Sequence, residues 1–343
     1  MHSVRLAVLR PGEQFAQKSW LSPAGSEEWL HQRVPRESTQ ELDVLLGTGE
    51  AQGNRVDHLS TVPMASINAR VRVLLTNDDG LEADGLQTLR RALLEVPAIE
   101  LAVIAPDGNR SAMARSITTR RPLWVQEVEF EDGTVGYATD GTPVDCVRLA
   151  RLGLIAGFEA ELVVAGINHG SNLGDDITYS GTVAAALEAI VLGLPGIAVS
   201  QQSSARELDF RAGSAFDFQA AGRFASRLVG ELQNVPLPGG TLLNINVPGG
   251  EPSGVEVTRL GKRVYRDELA LIEEREGGRR QYRIYGEASY EQDETGTDLA
   301  AISQGKIAVT PIHFDLTDRT GLTALRRYDL ERLVAPAASE LQS

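Results

Sequence analysis

A single cysteine, Cys146, stands among 343 residues, so an intrachain disulfide is excluded and the chain fits a reducing compartment. The cytoplasm is the expected location. Long apolar runs are missing as well. Nothing approaches the roughly 18 consecutive apolar residues of a membrane span, and Leu6-Ala-Val-Leu9 is too brief for a signal-peptide core. No membrane partner is expected. Basic residues are the minority, 33 Lys and Arg against 47 Asp and Glu, for a net charge of −14. That field repels a nucleic-acid backbone, so nucleic acid is not an expected partner, and a small anion has to be captured by a local device. Histidine is scarce. His2, His31 and His58 precede the first clear strand, which leaves His169 and His313, poorly placed for a Ser-His-Asp hydrolase or a histidine phosphatase. Cys146 is followed by Arg151, one residue short of the spacing of a cysteine phosphatase loop, and Asp78-Asp79 lacks the alternate spacing of an aspartyl-phosphate phosphatase.

Residues 1–69 differ from the rest, with scattered Pro, Gly, Gln, Ser and Glu and only brief apolar runs such as Leu42-Asp-Val-Leu-Leu46. They read as a flexible extension or as sequence upstream of a misassigned start, for which Met64 is a candidate. Gly47-Thr-Gly49 followed by Gly53 mimics a dinucleotide-binding loop, but the spacing is unusual and no helical pattern follows.

From Val71 the rhythm is strand, loop, helix. Val71-Arg-Val-Leu-Leu-Thr76, Leu101 to Ala105, Leu162 to Gly166, Gly196 to Ser200 and Leu242 to Val247 are short apolar strands. Gly85 to Leu94 and the alanine-rich Thr182 to Leu192 read as helices between them, and Val144 to Ala150 as the start of another. This alternation predicts an α/β fold: a Rossmann-like three-layer α/β/α sandwich with a mainly parallel sheet over residues 70–250. Residues 251–343 change character. Leu269 to Tyr285 reads as a charged β-hairpin arm turning at Gly277-Gly278, Ile307 to Phe314 as an apolar strand placed at an edge or bulge by Pro311, and Leu322 to Leu333 as a closing helix.

The chemistry is expected where Val71 to Thr76 stops at Asn77-Asp-Asp-Gly80, because ligands of open α/β sheets bind beyond the carboxyl ends of the strands. Two adjacent carboxylates there are costly unless a cation neutralises them. On its own Asp-Asp-Gly is also the composition of a solvated turn. Two further loops tip the balance, since Asp107, Asn109 and Ser111 follow the second strand, and Asn168 and Asn172 the third. Such hard oxygen donors predict Mg²⁺ or Mn²⁺, with Ca²⁺ as the alternative and zinc disfavoured. Asp78 and Asp79 can share an ion only if the chain turns between them, which Gly80 eases. Tyr179-Ser-Gly-Thr-Val183 opens the alanine-rich helix; alone it is an N-cap, and beside a metal site it becomes a phosphate cradle.

These residues together resemble the SurE (survival protein E) family of nucleotidases. The matching pieces are Asn77-Asp-Asp-Gly80, Ala105-Pro-Asp-Gly-Asn-Arg-Ser111, Gly141-Thr-Pro-Val-Asp-Cys146, Gly166-Ile-Asn-His-Gly-Ser-Asn-Leu-Gly174, Tyr179-Ser-Gly-Thr-Val-Ala-Ala-Ala186, Gly296-Thr-Asp298 and Thr310-Pro-Ile-His-Phe-Asp-Leu-Thr317. The resemblance implies a divalent-metal nucleotidase acting on nucleoside 5′-monophosphates, and on 3′-monophosphates in some members, with Mg²⁺ or Mn²⁺. It implies Asp78, Asp79, Ser111 and Asn168 as metal ligands, the two aspartates being catalytic, and Asn172, Ser180, Gly181 and Thr182 as phosphate-binding residues. It also implies activity on short polyphosphate, and homodimers or homotetramers that exchange carboxyl-terminal arms. A broad acid phosphatase or exopolyphosphatase, and a nucleotide-binding regulator without hydrolysis, are the alternatives. One departure stands out: Glu82-Ala-Asp84-Gly85 carries Asp where many members have proline, which bears on the shape of the nearby loop.

Overall fold

The computed structural model describes residues 70–207, 215–265, 269–284, 288–290 and 294–334; the Gly47 to Gly53 cluster and Met64 lie outside them. The strands are β1 (Val71–Thr76), β2 (Ile99–Pro106), β3 (Val125–Glu129), β4 (Val135–Thr139), β5 (Leu162–His169), β6 (Gly196–Gln201) and β7 (Thr241–Val247). They continue with β8 (Val255–Val257), β9 (Arg263–Tyr265), β10 (Ala270–Arg275), β11 (Arg279–Arg283), β12 (Ala288–Tyr290) and β13 (Ile307–His313). The helices are α1 (Asp84–Leu94), α2 (Pro143–Arg151), α3 (Gly181–Val191), α4 (Gln219–Gly230), α5 (Asp298–Ser303) and α6 (Arg319–Leu325).

Nine strands form one sheet in the order β3-β4-β2-β1-β5-β6-β7-β13-β8. The run from β4 to β7 is parallel, β3 pairs antiparallel to β4, and β13 pairs antiparallel to β7. Because β8 and β13 extend the same sheet, the carboxyl-terminal region is built onto the core. β8 pairs with β13 only at Ile307 to Val309, so Pro311 lies past the end of β8, where its missing N–H leaves no ladder bond unmade. The β10–β11 hairpin and the β9–β12 pair are separate two-stranded ribbons.

Both faces of the parallel strands are covered, as their near-continuous apolar sequences require. Leu86, Leu89 and Leu93 of α1 and Ala221, Ala225 and Val229 of α4 pack on one face with Val73, Leu75 and Val103. Cys146, Val147 and Ala150 of α2 and Ala185 and Ala189 of α3 pack on the other with Leu74, Ile104 and Val163. The fold is thus a Rossmann-like α/β/α sandwich. Burial pushes the Cys146 thiol up to about 12, so this residue is a small core hydrophobe. Thr142 starts α2 through a capping box, its hydroxyl accepting from Asp145 N at 3.2 Å while Asp145 Oδ2 accepts from Thr142 N at 2.9 Å.

The chain leaves β1 through α1 toward β2, and leaves the adjacent β5 through α3, on the other face, toward β6. The β1–β5 boundary is therefore the topological switch point, and a crevice opens at the carboxyl ends of these two strands. α4 lies on the α1 face although β6 to β7 runs in the same direction as β5 to β6. That crossover therefore has the opposite hand to its neighbour, a rare arrangement in parallel sheets.

Two sequence expectations are corrected. β5 runs through His169 instead of ending at Gly166, so Asn168 and His169 are held at a strand end. The closing helix is only Arg319–Leu325, followed by a single 3-10 turn at Glu331–Leu333. Leu322, Leu325, Tyr328, Leu330 and Leu333 are all exposed, and a helix with no apolar face buried has little reason to continue. α4 and α5 were not legible at all.

Gly85, in the first turn of α1, sets how closely that helix meets β5. A Cβ there would lie 2.1 Å from the Ile167 carbonyl oxygen and 3.3 Å from Phe218 Cε1. Gly85→Ala is expected to lower the unfolding free energy by about 1–3 kcal/mol, as overpacking of a rigid contact does. Urea denaturation checks this, and an unchanged midpoint would show that α1 is free to shift.

Candidate active site

Asn77 builds the turn that ends β1. Its Nδ2 donates to the Gly80 carbonyl at 2.9 Å, and its Oδ1 accepts from Gly80 N at 3.1 Å. Gly80 has φ +112°, and a Cβ there would come within 3.1 Å of Gly108 Cα, so two site loops touch through glycine backbones. Asn77 is thus a turn-former, and its side chain is not offered to a ligand.

The turn sends the two carboxylates to different partners. Asp78 is 3% exposed and accepts from the Thr182 hydroxyl through Oδ1. Gly181 sits against it so closely that a Cβ would lie 2.8 Å from Asp78 Cβ and Oδ2. Asp79 accepts from His169 N at 3.1 Å through Oδ2 and from Asn109 Nδ2 at 3.3 Å through Oδ1. Its Oδ1 is also 4.0 Å from His169 Nδ1. Burial pushes Asp78 up to about 6, with the Asp79 charge adding to it against the Thr182 hydrogen bond. Burial likewise raises Asp79 to about 6, against the His169 N–H. Burial lowers the pKa of His169, countered by the charges of Asp84 and Asp78.

The other candidate residues arrange themselves around this pair. Asn168 is buried, and its Nδ2 donates to the Gly170 carbonyl at 2.7 Å, leaving its side-chain oxygen as the group it can offer. Ser111 is exposed on a loop drawn to the crevice by Arg110 N, which donates to the Asp78 carbonyl at 2.6 Å, and by Ala114 N, which donates to Tyr179 O at 3.1 Å. Its hydroxyl makes no hydrogen bond to the other candidates, so only its backbone position brings it near them. Ser180 caps α3, its Oγ accepting from Val183 N at 3.1 Å. The N–H groups of Gly181 and Thr182 precede any acceptor within the helix and, with the helix dipole, favour an anion.

Asn172 is fixed by residues that the motif reading passed over. Its N–H donates to Asn246 Oδ1 at 2.8 Å, and its carbonyl accepts from Asn244 Nδ2 and Asn246 Nδ2, both at 2.9 Å. Its own Nδ2 donates to Ser200 Oγ at 2.9 Å. Asparagines at alternate positions of an otherwise apolar strand, Leu242 to Val247, were the available signal. Glu188 was also missed. It is 1% exposed in α3 and pairs with Arg115 at 2.6 Å and Arg148 at 2.7 Å, which ties the Ser111 loop and α2 to α3.

Among the described residues no group of three His, Cys, Asp or Glu side chains could hold a metal, and no Lys or Arg pairs with Asp78 or Asp79. Two buried carboxylates without a compensating cation either take up protons or bind an ion. Carboxylates with amide and hydroxyl oxygens nearby suit a hard divalent ion.

Fold and site together define a Rossmann-like α/β protein whose switch-point crevice sets paired carboxylates against the amino terminus of a helix. Residues 73–267 match the family described as Survival protein SurE. The chain is 51% identical over 267 residues to the 5′-nucleotidase SurE of Rubrobacter xylanophilus, covering 77% of this chain and 99% of that protein. It is 43% identical over 261 residues to the 5′-nucleotidase SurE of Pelotomaculum thermopropionicum, covering 75% and 95%. The crystal structure of the SurE protein from Aquifex aeolicus superimposes with a TM-score of 0.62 at 33% identity, covering 77% of this chain and all of that one. The chain belongs to the SurE family.

The Asn172 clamp has a measurable consequence. Asn246→Leu leaves the buried Asn172 N–H without its acceptor and is expected to cost about 1–3 kcal/mol. Urea unfolding measures the loss, and a wild-type midpoint would mean that Asn172 is held well enough without it.

Proposed function

We propose that this chain is a divalent-metal-dependent nucleotidase that hydrolyses nucleoside 5′-monophosphates, and 3′-monophosphates alongside them, to nucleoside and phosphate. The observation that carries the reading is the buried Asp78–Asp79 pair, uncompensated by any basic side chain, with Asp78 in contact with the first turn of α3. The relatives named 5′-nucleotidase support the substrate class.

Asp78, Asp79, Ser111 and Asn168 would hold one Mg²⁺ or Mn²⁺. When bound, such an ion supplies Lewis acidity toward a phosphoryl oxygen and lowers the pKa of water. The protein's part is placement. Thr182 fixes Asp78 by hydrogen bonding, and His169 N and Asn109 fix Asp79, so the carboxylates are oriented before any ligand arrives. The Gly181 N–H and the positive end of the α3 dipole would receive phosphoryl oxygens, in a crevice where fixed dipoles need no reorganisation. The Thr182 hydroxyl and backbone N–H both serve Asp78, so Thr182 would act on phosphate by fixing that carboxylate at the α3 amino terminus. Asn172 and Ser180 shape the cradle from behind, because both side chains are engaged within the protein.

The proposal extends to assembly and location. Leu271, Ile272 and Tyr282 on the hairpin, with Leu316, Leu325 and Leu333 beyond β13, are exposed apolar residues that a homodimer or homotetramer would cover. No described helix is long and apolar enough to cross a membrane, and the lone cysteine suits work in the cytoplasm.

The test is phosphate release from AMP, GMP, a pyrimidine nucleotide, a 3′-nucleotide, p-nitrophenyl phosphate and tripolyphosphate. Removing divalent ions with EDTA is expected to abolish release from the nucleotides, and added Mn²⁺ or Mg²⁺ to restore it. Asp78→Asn is expected to lose more than about a hundredfold in turnover at saturating Mn²⁺ with the circular dichroism unchanged, exceeding the loss seen for outer-shell partners. Near-normal release from that variant refutes the ligand assignment.

A further inference from the structure

Opposite α3, on the face covered by α1 and α4, three rings gather beside Asp79. The His169 ring lies 4.9 Å from Phe218 with planes 26° apart and 5.3 Å from Phe216 with planes 18° apart. Phe216 and Phe218 are 5.7 Å and 11° apart. Three near-equal separations between near-parallel planes mean that no ring is sandwiched by the other two. Each ring lies offset against both of the others, and the three make one contiguous aromatic floor, in the offset geometry that ring quadrupoles prefer.

Core packing explains only part of this floor. Phe218 is 7% exposed and packs with the Leu86 and Leu89 core, so it is a structural support. Phe216 packs against the edge of the same core but is only half-buried, and a third of the His169 side chain is exposed. Nε2 of His169 has no hydrogen-bond partner among the described residues. The ring is carried by the residue whose backbone N–H holds Asp79 at 3.1 Å, and its edge, at Nδ1, lies 4.0 Å from Asp79 Oδ1, so the rings adjoin the carboxylate pair. Partly open aromatic surface beside two buried carboxylates is an unusual use of apolar area unless a flat ligand covers it.

We propose that Phe216 and His169, backed by Phe218, form the platform on which the base of the substrate stacks. This inference rests on the nucleotidase reading and assigns a subsite to it. The α3 amino terminus lies on one side of the carboxylate pair and the ring floor on the other, so a nucleoside monophosphate spans both with its ester bond at the carboxylates. Stacking recognises the flat face that every base has, without reading its hydrogen-bonding edge.

The experiment compares kcat/KM for AMP and for ribose 5-phosphate, which has the phosphate and sugar without a base, in wild type, Phe216→Ala and Phe216→Tyr. Phe216→Ala is expected to lower the AMP to ribose 5-phosphate ratio by about tenfold or more, through KM, and Phe216→Tyr to restore it. An unchanged ratio in Phe216→Ala, or equal losses on both esters, overturns the platform. Calorimetric binding of adenosine separates this from the hydrolytic reading. A wild type that releases no phosphate from nucleotides yet binds adenosine about tenfold more tightly than Phe216→Ala keeps the platform and discards the nucleotidase. Equal adenosine binding by the two proteins discards the platform whatever the hydrolytic outcome.

Discussion

Two carboxylates lie side by side at the end of a buried strand, and no Lys or Arg among the described residues neutralises them. A single acid in such a place can be satisfied by backbone N–H groups. Asp298 shows how: it is fully buried and accepts from Gly174, Gly261 and Leu299 N at 2.8, 2.8 and 2.9 Å, although burial still raises its pKa. Asp78 and Asp79 have fewer donors, and each adds its charge to the other's surroundings. Asp298 therefore acts as a structural joint between the loop after β5 and the carboxyl-terminal region. The paired acids keep unused binding capacity for something positive.

The surrounding polar network makes that capacity usable. The first layer, Thr182, Asn109 and the His169 N–H, aims the carboxylates. Behind it Asn244, Asn246 and Ser200 lock the strand-end loop that carries Asn172, and Arg115 and Arg148 meet Glu188 on α3. Glu188 is buried while its two arginines remain a third to a half exposed, so the triad acts more as a positional tie than as a source of stability. Most of these residues lie on rigid strands or helices, which hold a constellation better than loops do.

Much of this was legible in the sequence because periodicity and motif coincide. Val71 to Gly80 announces a buried strand followed by acids, and the five parallel strands at the centre of the sheet stand where their apolar runs lie. The illegible parts have identifiable physical causes. α4 begins with no side-chain cap at Phe218, so no N-terminal signal marks it. Asn168 and His169 look like loop residues because strand β5 continues through a register shift after Ala165, where alternation fails. The second layer is invisible for another reason: Asn244, Asn246 and Glu188 matter through contacts 72, 74 and 73 residues distant along the chain. The aromatic floor joins His169 to Phe216 and Phe218 across 47 and 49 residues, and no local pattern points to it.

The spacing between the α3 amino terminus and the carboxylates is set by what α3 lacks. Its buried residues are Gly181, Thr182, Val183, Ala184, Ala185, Ala186, Glu188 and Ala189, so apart from Val183, which packs with Ala198 and Leu242, the helix meets the sheet mainly through small residues. The sheet answers with Gly196, where a Cβ would lie 2.5 Å from the Ala186 carbonyl oxygen. With nothing left to compress at either contact, the helix cannot approach further. A larger residue at Gly181 or Gly196 would force it outward, because close-packed interiors yield by displacement rather than compression. The small residues that let this helix lie close against the sheet thus fix the distance from the α3 amino terminus to Asp78.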